Sequence, residues 1–402
     1  MICQFSFKNF KSYKDETVFD FQAANLPEFK DSLLDTSRPL LPVNVIYGSN
    51  GGGKSNLLKA FSCLVTIVVR PIYDLRKNQI PFIQQRIGDL TCEPFLLDEG
   101  SKDQPTEFNV FFRIGGNEYR YYIALLKEQI TSESLSRRSL KGKRTAVLFE
   151  REGSRITLGM SISKKSINRD VNSKMSYLSF LAINYDLPVI AEVQKWFESV
   201  IIWNDAGTKF DPGTMFTEDP VLKKDLIHSM NDMGIDIHDY RIDRETNRIW
   251  IQRKINKRKY ELSFDDESAG TKKLLISLPV LLPALAEGRL VIIDELDSKL
   301  HPKLLRYIIY LFTNKEINKK GAQLVFTSHD MATMRNDVFR RDEIWFAALN
   351  DDHASEIYSL YEIRRENGMR INHTAAYARQ YLEGRYGADP YLRNMLSWEE
   401  TE

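Results

Sequence analysis

The sequence lacks the features that would place the protein in a membrane or outside the cell. It opens with Met-Ile-Cys-Gln and no basic region followed by an apolar core, so we expect no signal peptide. The longest apolar run, residues 274–286, is too short to span a bilayer and contains two prolines, so we expect a core helix there. We therefore predict a cytoplasmic protein that has no membrane partner.

Cysteine is scarce, and the net charge is close to zero. The three cysteines, Cys3, Cys63 and Cys92, are widely spaced, and none pairs with a histidine at a metal-binding spacing, which fits a reducing cytosol. The formal net charge of +1 gives no overall attraction to nucleic acid, so any basic surface has to be local. The 402 residues can bury one large core or two to three smaller ones.

A glycine-rich motif follows an apolar, β-branched stretch. Residues 48–55 read Gly-Ser-Asn-Gly-Gly-Gly-Lys-Ser, a complete G-x-x-x-x-G-K-S phosphate-binding loop, and a helical pattern begins directly after it. Glycines let consecutive backbone N–H groups surround a polyphosphate at the positive end of that helix. We expect Lys54 to reach the β- and γ-phosphates and Ser55 to bind Mg²⁺. The predicted nucleotide-binding residues are Gly48, Ser49, Asn50, Gly51, Gly52, Gly53, Lys54, Ser55 and Asn56.

A second apolar strand ends in two carboxylates. Residues 290–293 are apolar on both faces, which predicts the centre of a parallel sheet, and Asp294 and Glu295 follow at the end where such sheets bind ligands. We expect Asp294 to hold Mg²⁺ through its water shell and Glu295 to orient or deprotonate the attacking water. Two solvated acids would explain this hexapeptide taken alone. The phosphate-binding loop makes a site for ATP and Mg²⁺ the better interpretation.

The remaining patterns predict an α/β protein in three parts. Residues 1–160 combine the phosphate-binding loop with short alternating strands from about residue 106, which predict an antiparallel β subdomain. Residues 161–245 look mainly helical and form an inserted subdomain. Residues 246–402 begin with a hairpin and continue as alternating helices and parallel strands, so the core sheet is expected to be mixed and largely parallel.

Helical periodicity is clearest in three places. The helix after the phosphate-binding loop is predicted to end near Val69, because Pro71 would remove a hydrogen bond from its next turn. Within the inserted segment the best helical patterns cover residues 177–182 and 190–202.

Three further segments complete a known order of motifs. A small-residue turn, Ser268-Ala269-Gly270, opens a helix and offers another N-terminal anion site. Asp297 follows the carboxylate strand, and His329 stands at the tip of the strand that includes residues 324–328. The order of these motifs resembles that of the ABC-type ATPases of the SMC, RecF and OLD group. The resemblance implies a P-loop NTPase fold of the ABC-ATPase head type.

The same resemblance implies a nucleotide site shared between subunits. In this group the signature turn serves the nucleotide of a second subunit, so that ATP closes a head-to-tail homodimer. We therefore expect Ser268, Ala269, Gly270 and Asp297 to contact nucleotide, and His329 to act with Glu295 in catalysis.

Both ends of the sequence extend the resemblance. Residues 7–13, Phe-Lys-Asn-Phe-Lys-Ser-Tyr, are similar to the segment with which RecF and SMC heads open, which implies that Lys11 and Ser12 approach the nucleotide. Residues 381–390, Tyr-Leu-Glu-Gly-Arg-Tyr-Gly-Ala-Asp-Pro, resemble an ending common in compact ATPase subunits of bacterial anti-phage defence systems, the AriA-like and PtuA-like subunits. A helix C-cap followed by a proline turn describes the same residues physically.

The sequence departs from the ABC pattern in three respects. The signature has Ala269 where the family has glycine, which reduces backbone approach to the γ-phosphate. The lid glutamine is not assigned, and Gln84 and Gln85 fit only by position. About 210 residues separate Ser55 from Ser268 without sustained heptads, which excludes a long coiled-coil arm.

We therefore predict an ATPase that acts through another protein. About 70 residues follow His329 and show no nuclease pattern, so a separate effector such as a nuclease is the expected partner. The leading hypothesis is a sensor or scaffold subunit of a prokaryotic anti-phage defence system, triggered by nucleic acid or a phage protein. The alternative is a RecF/SMC-like DNA-binding ATPase in repair or replication.

Basic clusters bear on that choice. They are explained most simply as solvated charges on turns, but on a common face they would bind nucleic-acid phosphates. The clusters lie at residues 137–138, 141–144, 164–165 and 253–259.

Overall fold

The computed structural model describes residues 1–35, 37–75, 92–162, 166–204, 216, 219–365 and 368–388. Several positions singled out from the sequence lie outside these ranges: Gln84 and Gln85, Lys164 and Lys165, and Asp389 and Pro390.

Within the described residues, sixteen strands form three sheets. In chain order they are β1 (Ile2–Lys8), β2 (Thr17–Asp20), β3 (Val43–Tyr47), β4 (Thr106–Ile114), β5 (Asn117–Leu126), β6 (Gln129–Ser139), β7 (Thr145–Glu152), β8 (Arg155–Leu158), β9 (Ile201–Asn204), β10 (Asp239–Asp243), β11 (Arg248–Ile255), β12 (Arg258–Ser263), β13 (Leu290–Asp294), β14 (Gln323–Thr327), β15 (Ile344–Leu349) and β16 (Ser355–Ser359).

Seven α-helices accompany these strands in the described part of the chain. They are α1 (Lys54–Leu75), α2 (Tyr177–Asn184), α3 (Pro188–Ser199), α4 (Pro220–Asp232), α5 (Ala269–Glu287), α6 (Pro302–Thr313) and α7 (Tyr377–Leu382).

The core sheet has the strand order β16-β15-β3-β14-β13-β9. Neighbouring strands from β15 to β9 run parallel, and β16 pairs antiparallel with β15 at one edge. The strand predicted at residues 290–293 is therefore confirmed as an interior parallel strand between β9 and β14, and these four residues are buried. The ends of β3, β14 and β13 consequently meet at one edge of the sheet, where the predicted site residues follow.

The predicted antiparallel β subdomain is confirmed. It is a seven-stranded sheet in the order β2-β1-β4-β5-β6-β7-β8, so the two N-terminal strands complete it across β4. A third sheet, β10-β11-β12, contains the hairpin predicted at the start of the last part of the sequence. The expected α/β architecture, with a largely parallel core sheet and an antiparallel β subdomain, is thus what the chain adopts.

The predicted end of the first helix is wrong. Helix α1 continues through Pro71 to Leu75 instead of ending near Val69. Proline removes the donor to the Ile67 carbonyl, and the neighbouring Val68 carbonyl accepts hydrogen bonds from side chains of the next two helices. Ser179 Oγ donates to the Val68 carbonyl at 2.6 Å, and Gln194 Nε2 donates to the same oxygen at 3.3 Å.

The helix predicted over residues 190–202 is also too long. Helix α3 ends at Ser199, and residues 201–204 form β9, which pairs with β13 in the core sheet. The sequence Val-Ile-Ile-Trp at 200–203 is β-branched and aromatic, and a place beside a buried strand decides in favour of extended structure. The helix predicted at residues 177–182 is confirmed within α2.

Cys63 and Cys92 are joined by a disulfide, with their Cα atoms 6.7 Å apart. The spacing of 29 residues gave no signal for this pairing, and a disulfide runs against the reducing compartment expected from the scarce cysteines. The bond links α1 to the segment whose Glu93 carbonyl accepts the Lys11 N–H at 2.8 Å. Cys3 is a free, buried thiol, and burial raises its pKa to about 11.

Helices α1 and α5 are long and apolar enough to cross a membrane by length and composition alone. In each, 56% of the apolar window is buried within the protein, as is typical of core helices. The core helix predicted at residues 274–286 is confirmed inside α5, which contains Pro279 and Pro283.

Candidate nucleotide-binding site

The phosphate-binding loop connects the end of β3 to the start of α1. Two of its glycines are required by close contacts and by backbone geometry. Gly48 has φ +144°, and a Cβ there would lie 2.1 Å from the Ala347 carbonyl oxygen in β15. Gly53 has φ +108°, and a Cβ would lie 2.4 Å from Ser355 Oγ in β16. The tip of the loop is exposed to solvent at Asn50 and Gly51. Strands β15 and β16 therefore pack against one side of the loop, and its tip is accessible to a ligand.

Lys54 places a positive charge at the base of the loop. Its side chain is buried, and Nζ donates hydrogen bonds to the carbonyl oxygens of Gly48 at 2.7 Å and Ser49 at 3.0 Å. Burial lowers the pKa of Lys54, while the carboxylates of Asp294, Glu295 and Asp297 act in the opposite direction. Residues of both predicted halves of the site therefore influence the charge of one ammonium group.

Thr327 joins two of the strand ends. Its hydroxyl donates to Asp294 Oδ1 at 2.5 Å and accepts the Glu295 N–H at 2.7 Å. The next residue, Ser328, donates its N–H to the Ile46 carbonyl at 3.0 Å, which fixes β14 to β3 at the same edge. One buried threonine thus holds both predicted carboxylate residues in register with the phosphate-binding loop.

Glu295 has an uncommon backbone conformation. Its φ is 51°, in the left-handed region, and its side chain is exposed. For a residue other than glycine this conformation costs on the order of 1 kcal/mol, and such strain is concentrated at functional sites. The hydrogen bond from its N–H to Thr327 helps to hold this turn.

Asp297 and His329, which follow the ends of β13 and β14, are joined by a hydrogen bond. The His329 N–H donates to Asp297 Oδ2 at 2.9 Å, and the imidazole is exposed. Asp297 Oδ1 is buried and has no hydrogen-bond partner among the described residues. A buried carboxylate oxygen without a donor is unfavourable, so this atom marks a place where a ligand can supply one.

The side chains present fit Mg²⁺ bound together with a nucleotide. Ser55 and Asp294 offer oxygen ligands, the type that Mg²⁺ prefers. The described residues contain no group of three or more His, Cys, Asp or Glu side chains that could hold a metal ion. Magnesium at phosphate sites usually takes one or two protein ligands and completes its shell with phosphate and water, which suits this donor set.

The N-terminal segment reaches the phosphate-binding loop through Ser12 and Tyr13. Ser12 Oγ accepts from Asn56 Nδ2 at 2.9 Å and from Ser355 Oγ at 2.8 Å. The buried Tyr13 donates its hydroxyl to the Gly53 carbonyl at 3.2 Å. Lys11 instead forms an ion pair with Glu93 at 2.7 Å. Of the two predicted residues, Ser12 therefore contacts Asn56, directly after the phosphate-binding loop, whereas the side chain of Lys11 is paired with Glu93.

The signature turn lies at the surface. Ser268 caps α5 by accepting the Thr271 N–H at 3.1 Å, and Ser268 and Ala269 are exposed. A Cβ at Gly270 would lie 3.1 Å from the Lys299 carbonyl, which places the turn beside the loop that follows Asp297. The exposed turn is free to face another molecule.

Three residues that support the site were not identified from the sequence. Thr327 was passed over although it precedes the predicted His329 by only two residues, so its place at a strand end was the available signal. Tyr13 and Ser355 contact Gly53 from distant parts of the chain, and the sequence alone carried no signal for those contacts.

Residues 43–335 match the family model AAA_21, described as "AAA domain, putative AbiEii toxin, Type IV TA system". The match covers more than half of the chain, and the protein belongs to this AAA family. Its mixed, largely parallel core sheet and its antiparallel β subdomain agree with the α/β fold predicted from the sequence. AAA families are ATPases, which supports ATP binding and hydrolysis in general terms.

Solved structures of similar fold include an SMC head domain from Thermotoga maritima, with 15% identity, a TM-score of 0.44, and coverage of 89% of this chain and 98% of that one. An SmcHead bound to the C-winged helix domain of ScpA has 14% identity, a TM-score of 0.43, and coverage of 89% and 97%. The recombination mediator RecF-ATPrS of the RecFOR pathway has 12% identity, a TM-score of 0.35, and coverage of 89% and 98%. No curated protein matches the sequence.

Replacing Thr327 tests how the carboxylates are positioned. Thr327→Val keeps the shape of the side chain but removes the donor to Asp294 and the acceptor for the Glu295 N–H. We expect ATP turnover to fall roughly tenfold or more, the equivalent of about 1.4 kcal/mol in the barrier. Thr327→Ser retains the hydroxyl and serves as the matched control. Steady-state turnover and melting temperature should be measured together, and a normal rate in Thr327→Val would show that the two acids are positioned without this bond.

Proposed function

We propose that this protein is an ATPase whose nucleotide sites are completed by a second copy of the chain, and that it controls a separate effector in a prokaryotic anti-phage defence system. The observation that carries the ATPase assignment is the convergence on Lys54. Loop carbonyls bind its ammonium group, and three carboxylates from the end of β13 and the following loop act on its pKa.

Each side chain then has a defined role. The loop N–H groups and Lys54 bind the phosphates, and Ser55 with Asp294 holds Mg²⁺. When bound, the metal neutralises charge on the phosphate oxygens. Glu295 accepts a proton from the attacking water or orients it, and His329 contacts the reacting end of the nucleotide from beside Asp297.

The exposed signature supports a site shared between subunits. Ser268 and Ala269 are open to solvent at the start of α5, where helix N–H groups favour an anion. The hydrogen bonds of Ser268 run to Thr271 and Lys272 in its own helix. In this proposal Ser268, Ala269, Gly270 and Asp297 contact the nucleotide of the partner, and ATP closes a head-to-tail homodimer.

The proposal includes a separate effector protein. The described residues hold no metal cluster of a nuclease type. The ending at residues 381–390 resembles that of the AriA-like and PtuA-like defence subunits. We therefore propose a cytoplasmic sensor or scaffold, triggered by nucleic acid or a phage protein, with a nuclease as the expected effector. Residues 1–160, 161–245 and 246–402 remain the proposed units.

A RecF/SMC-like DNA-binding ATPase is the second candidate, and one surface favours it. The tip of the β11–β12 hairpin exposes Lys254, Lys257, Arg258 and Lys259. Arg253, which adjoins Lys254, forms an ion pair of 2.7 Å with Glu267, and Glu267 directly precedes the signature turn. DNA phosphates on this tip would therefore lie next to an element that contacts nucleotide.

Glu295→Gln tests the assignment of the general base. The amide keeps the size of the side chain but cannot accept the proton, so we expect ATP binding to persist and turnover to fall by about 10²-fold or more. Lys54→Ala is the companion variant and should lose most nucleotide binding, because the phosphates lose their nearest cation. Binding is followed by equilibrium titration and turnover by phosphate release. Normal turnover in Glu295→Gln would leave Glu295 as an ordinary surface acid.

Mixing two inactive variants tests the shared site. Ser268→Arg blocks the signature turn, and Lys54→Ala prevents nucleotide binding by the phosphate-binding loop. Each protein alone should therefore be inactive. A mixed dimer contains one site with an intact loop and an intact signature, and we expect the mixture to regain part of the wild-type rate. Subunit exchange is established first with two affinity tags. With exchange shown, a mixture no more active than either parent would contradict sites that work independently between subunits.

Duplex DNA tests the second candidate function. The second candidate predicts salt-dependent binding that weakens by tenfold or more in Lys254→Glu/Lys257→Glu, because phosphate contacts are lost. The control Lys141→Glu/Lys143→Glu changes two exposed lysines on the turn between β6 and β7. Fluorescence anisotropy of a labelled duplex measures both. Absence of binding at low salt contradicts the DNA-binding ATPase, whereas selective loss in the hairpin variant supports it.

A further inference from the structure

The C-terminal segment, residues 381–388, contacts the phosphate-binding loop directly. The Ser49 N–H donates to the Ala388 carbonyl oxygen at 3.1 Å. The hydroxyl of Tyr381 donates to the same oxygen at 3.0 Å. Residues from the opposite end of the chain therefore fix the second residue of the loop.

Aromatic packing holds this segment on β15. The ring of Tyr381 stacks on Phe346 with centroids 5.5 Å apart and an interplanar angle of 12°, and Tyr386 lies 5.3 Å from the same ring. Tyr358 of β16 donates its hydroxyl to the Tyr386 carbonyl at 2.6 Å. The segment is thus attached to β15 and β16, the two strands whose residues lie against Gly48 and Gly53 of the phosphate-binding loop.

Gly387 allows the chain to make this approach. Its φ is +75°, a conformation that other residues adopt at a cost, and a Cβ there would lie 3.3 Å from the hydroxyl of Tyr358. The next residue, Ala388, is 2% exposed, so its carbonyl is delivered into a buried position beside Ser49. The Tyr-Gly-Ala sequence at 386–388 has a physical reason in this turn.

The Ser49 backbone is held on both sides. Its N–H is bound by Ala388, and its carbonyl accepts from Lys54 Nζ at 3.0 Å. The same carbonyl also accepts the Gly52 N–H at 3.1 Å, a bond within the loop. In the proposed function the phosphates compete with the Ser49 carbonyl for Lys54, so with nucleotide bound Ala388 is the contact that still ties Ser49 to the rest of the protein. A receptor loop that is already fixed loses less conformational freedom on binding.

We infer that residues 381–388 form a clamp on the phosphate-binding loop that raises its affinity for nucleotide. This inference rests on the proposed nucleotide site and adds a positioning role for Tyr381, Gly387 and Ala388. Because coupling between two bound elements is reciprocal, nucleotide also holds the clamp more firmly in place. A protein that pulled this segment away would therefore lower the affinity for ATP.

Binding of a fluorescent ATP analogue in the presence of Mg²⁺ tests the clamp in the full-length protein. Tyr381→Phe keeps the ring on Phe346 and removes one donor to Ala388, so we expect Kd to rise about two- to tenfold. Gly387→Val distorts the turn and should raise Kd about tenfold or more. Tyr310→Phe removes an exposed hydroxyl from α6 and is the matched control, expected to bind as the wild type does.

Steady-state ATP hydrolysis distinguishes positioning from general loss of structure. The clamp predicts a higher KM for ATP with kcat within about twofold of the wild type, because Glu295 and Asp294 are untouched. Melting temperatures establish that the variants fold, and Tyr358→Phe replaces Gly387→Val if the latter does not. Wild-type Kd and KM in Tyr381→Phe and in the second variant would overturn the clamp, as would a fall in kcat alone. Failure of the wild type to bind the analogue would instead refute the nucleotide site itself.

Discussion

The buried ammonium group of Lys54 is the constraint on which the site depends. Removing such a charge from water costs several kcal/mol unless other groups compensate for it. Two carbonyls of its own loop provide hydrogen bonds, and Asp294, Glu295 and Asp297 provide opposite charge from the far half of the sequence. Those acids and Lys54 lie at the same edge of the sheet because β3, β14 and β13 are parallel neighbours. The strand order of the core sheet therefore decides which residues lie together at the site.

A second group of contacts fixes the phosphate-binding loop from outside. Strand β15 lies beneath Gly48, Ser355 of β16 lies against Gly53, and Tyr13 binds the Gly53 carbonyl. The C-terminal segment adds the bond between Ala388 and Ser49. Elements from both ends of the sequence consequently meet at one loop of eight residues.

The parts of the site that could be predicted are those set by local sequence. The loop at 48–55 and the strand ending at Asp294 each contain their own chemistry, and the structure places both as expected. The errors arise where tertiary contacts override local preference: side chains bonded to the Val68 carbonyl support a helix through Pro71, and pairing with β13 turns residues 201–204 into a strand. Thr327 and Ala388 act through partners remote in sequence, so the strand end and the C-terminal pattern that contain them did not reveal these contacts.

The most direct test of the central claim is a structure of Glu295→Gln with ATP and Mg²⁺. Our account predicts that Lys54 Nζ exchanges the Gly48 and Ser49 carbonyls for phosphate oxygens, while the Ser49 N–H stays on Ala388. It also predicts a head-to-tail dimer in which Ser268 of the partner subunit lies within hydrogen-bond distance of the same nucleotide. Nucleotide bound elsewhere, or bound in this loop with Lys54 still on its own carbonyls and the signature facing solvent, would contradict the account.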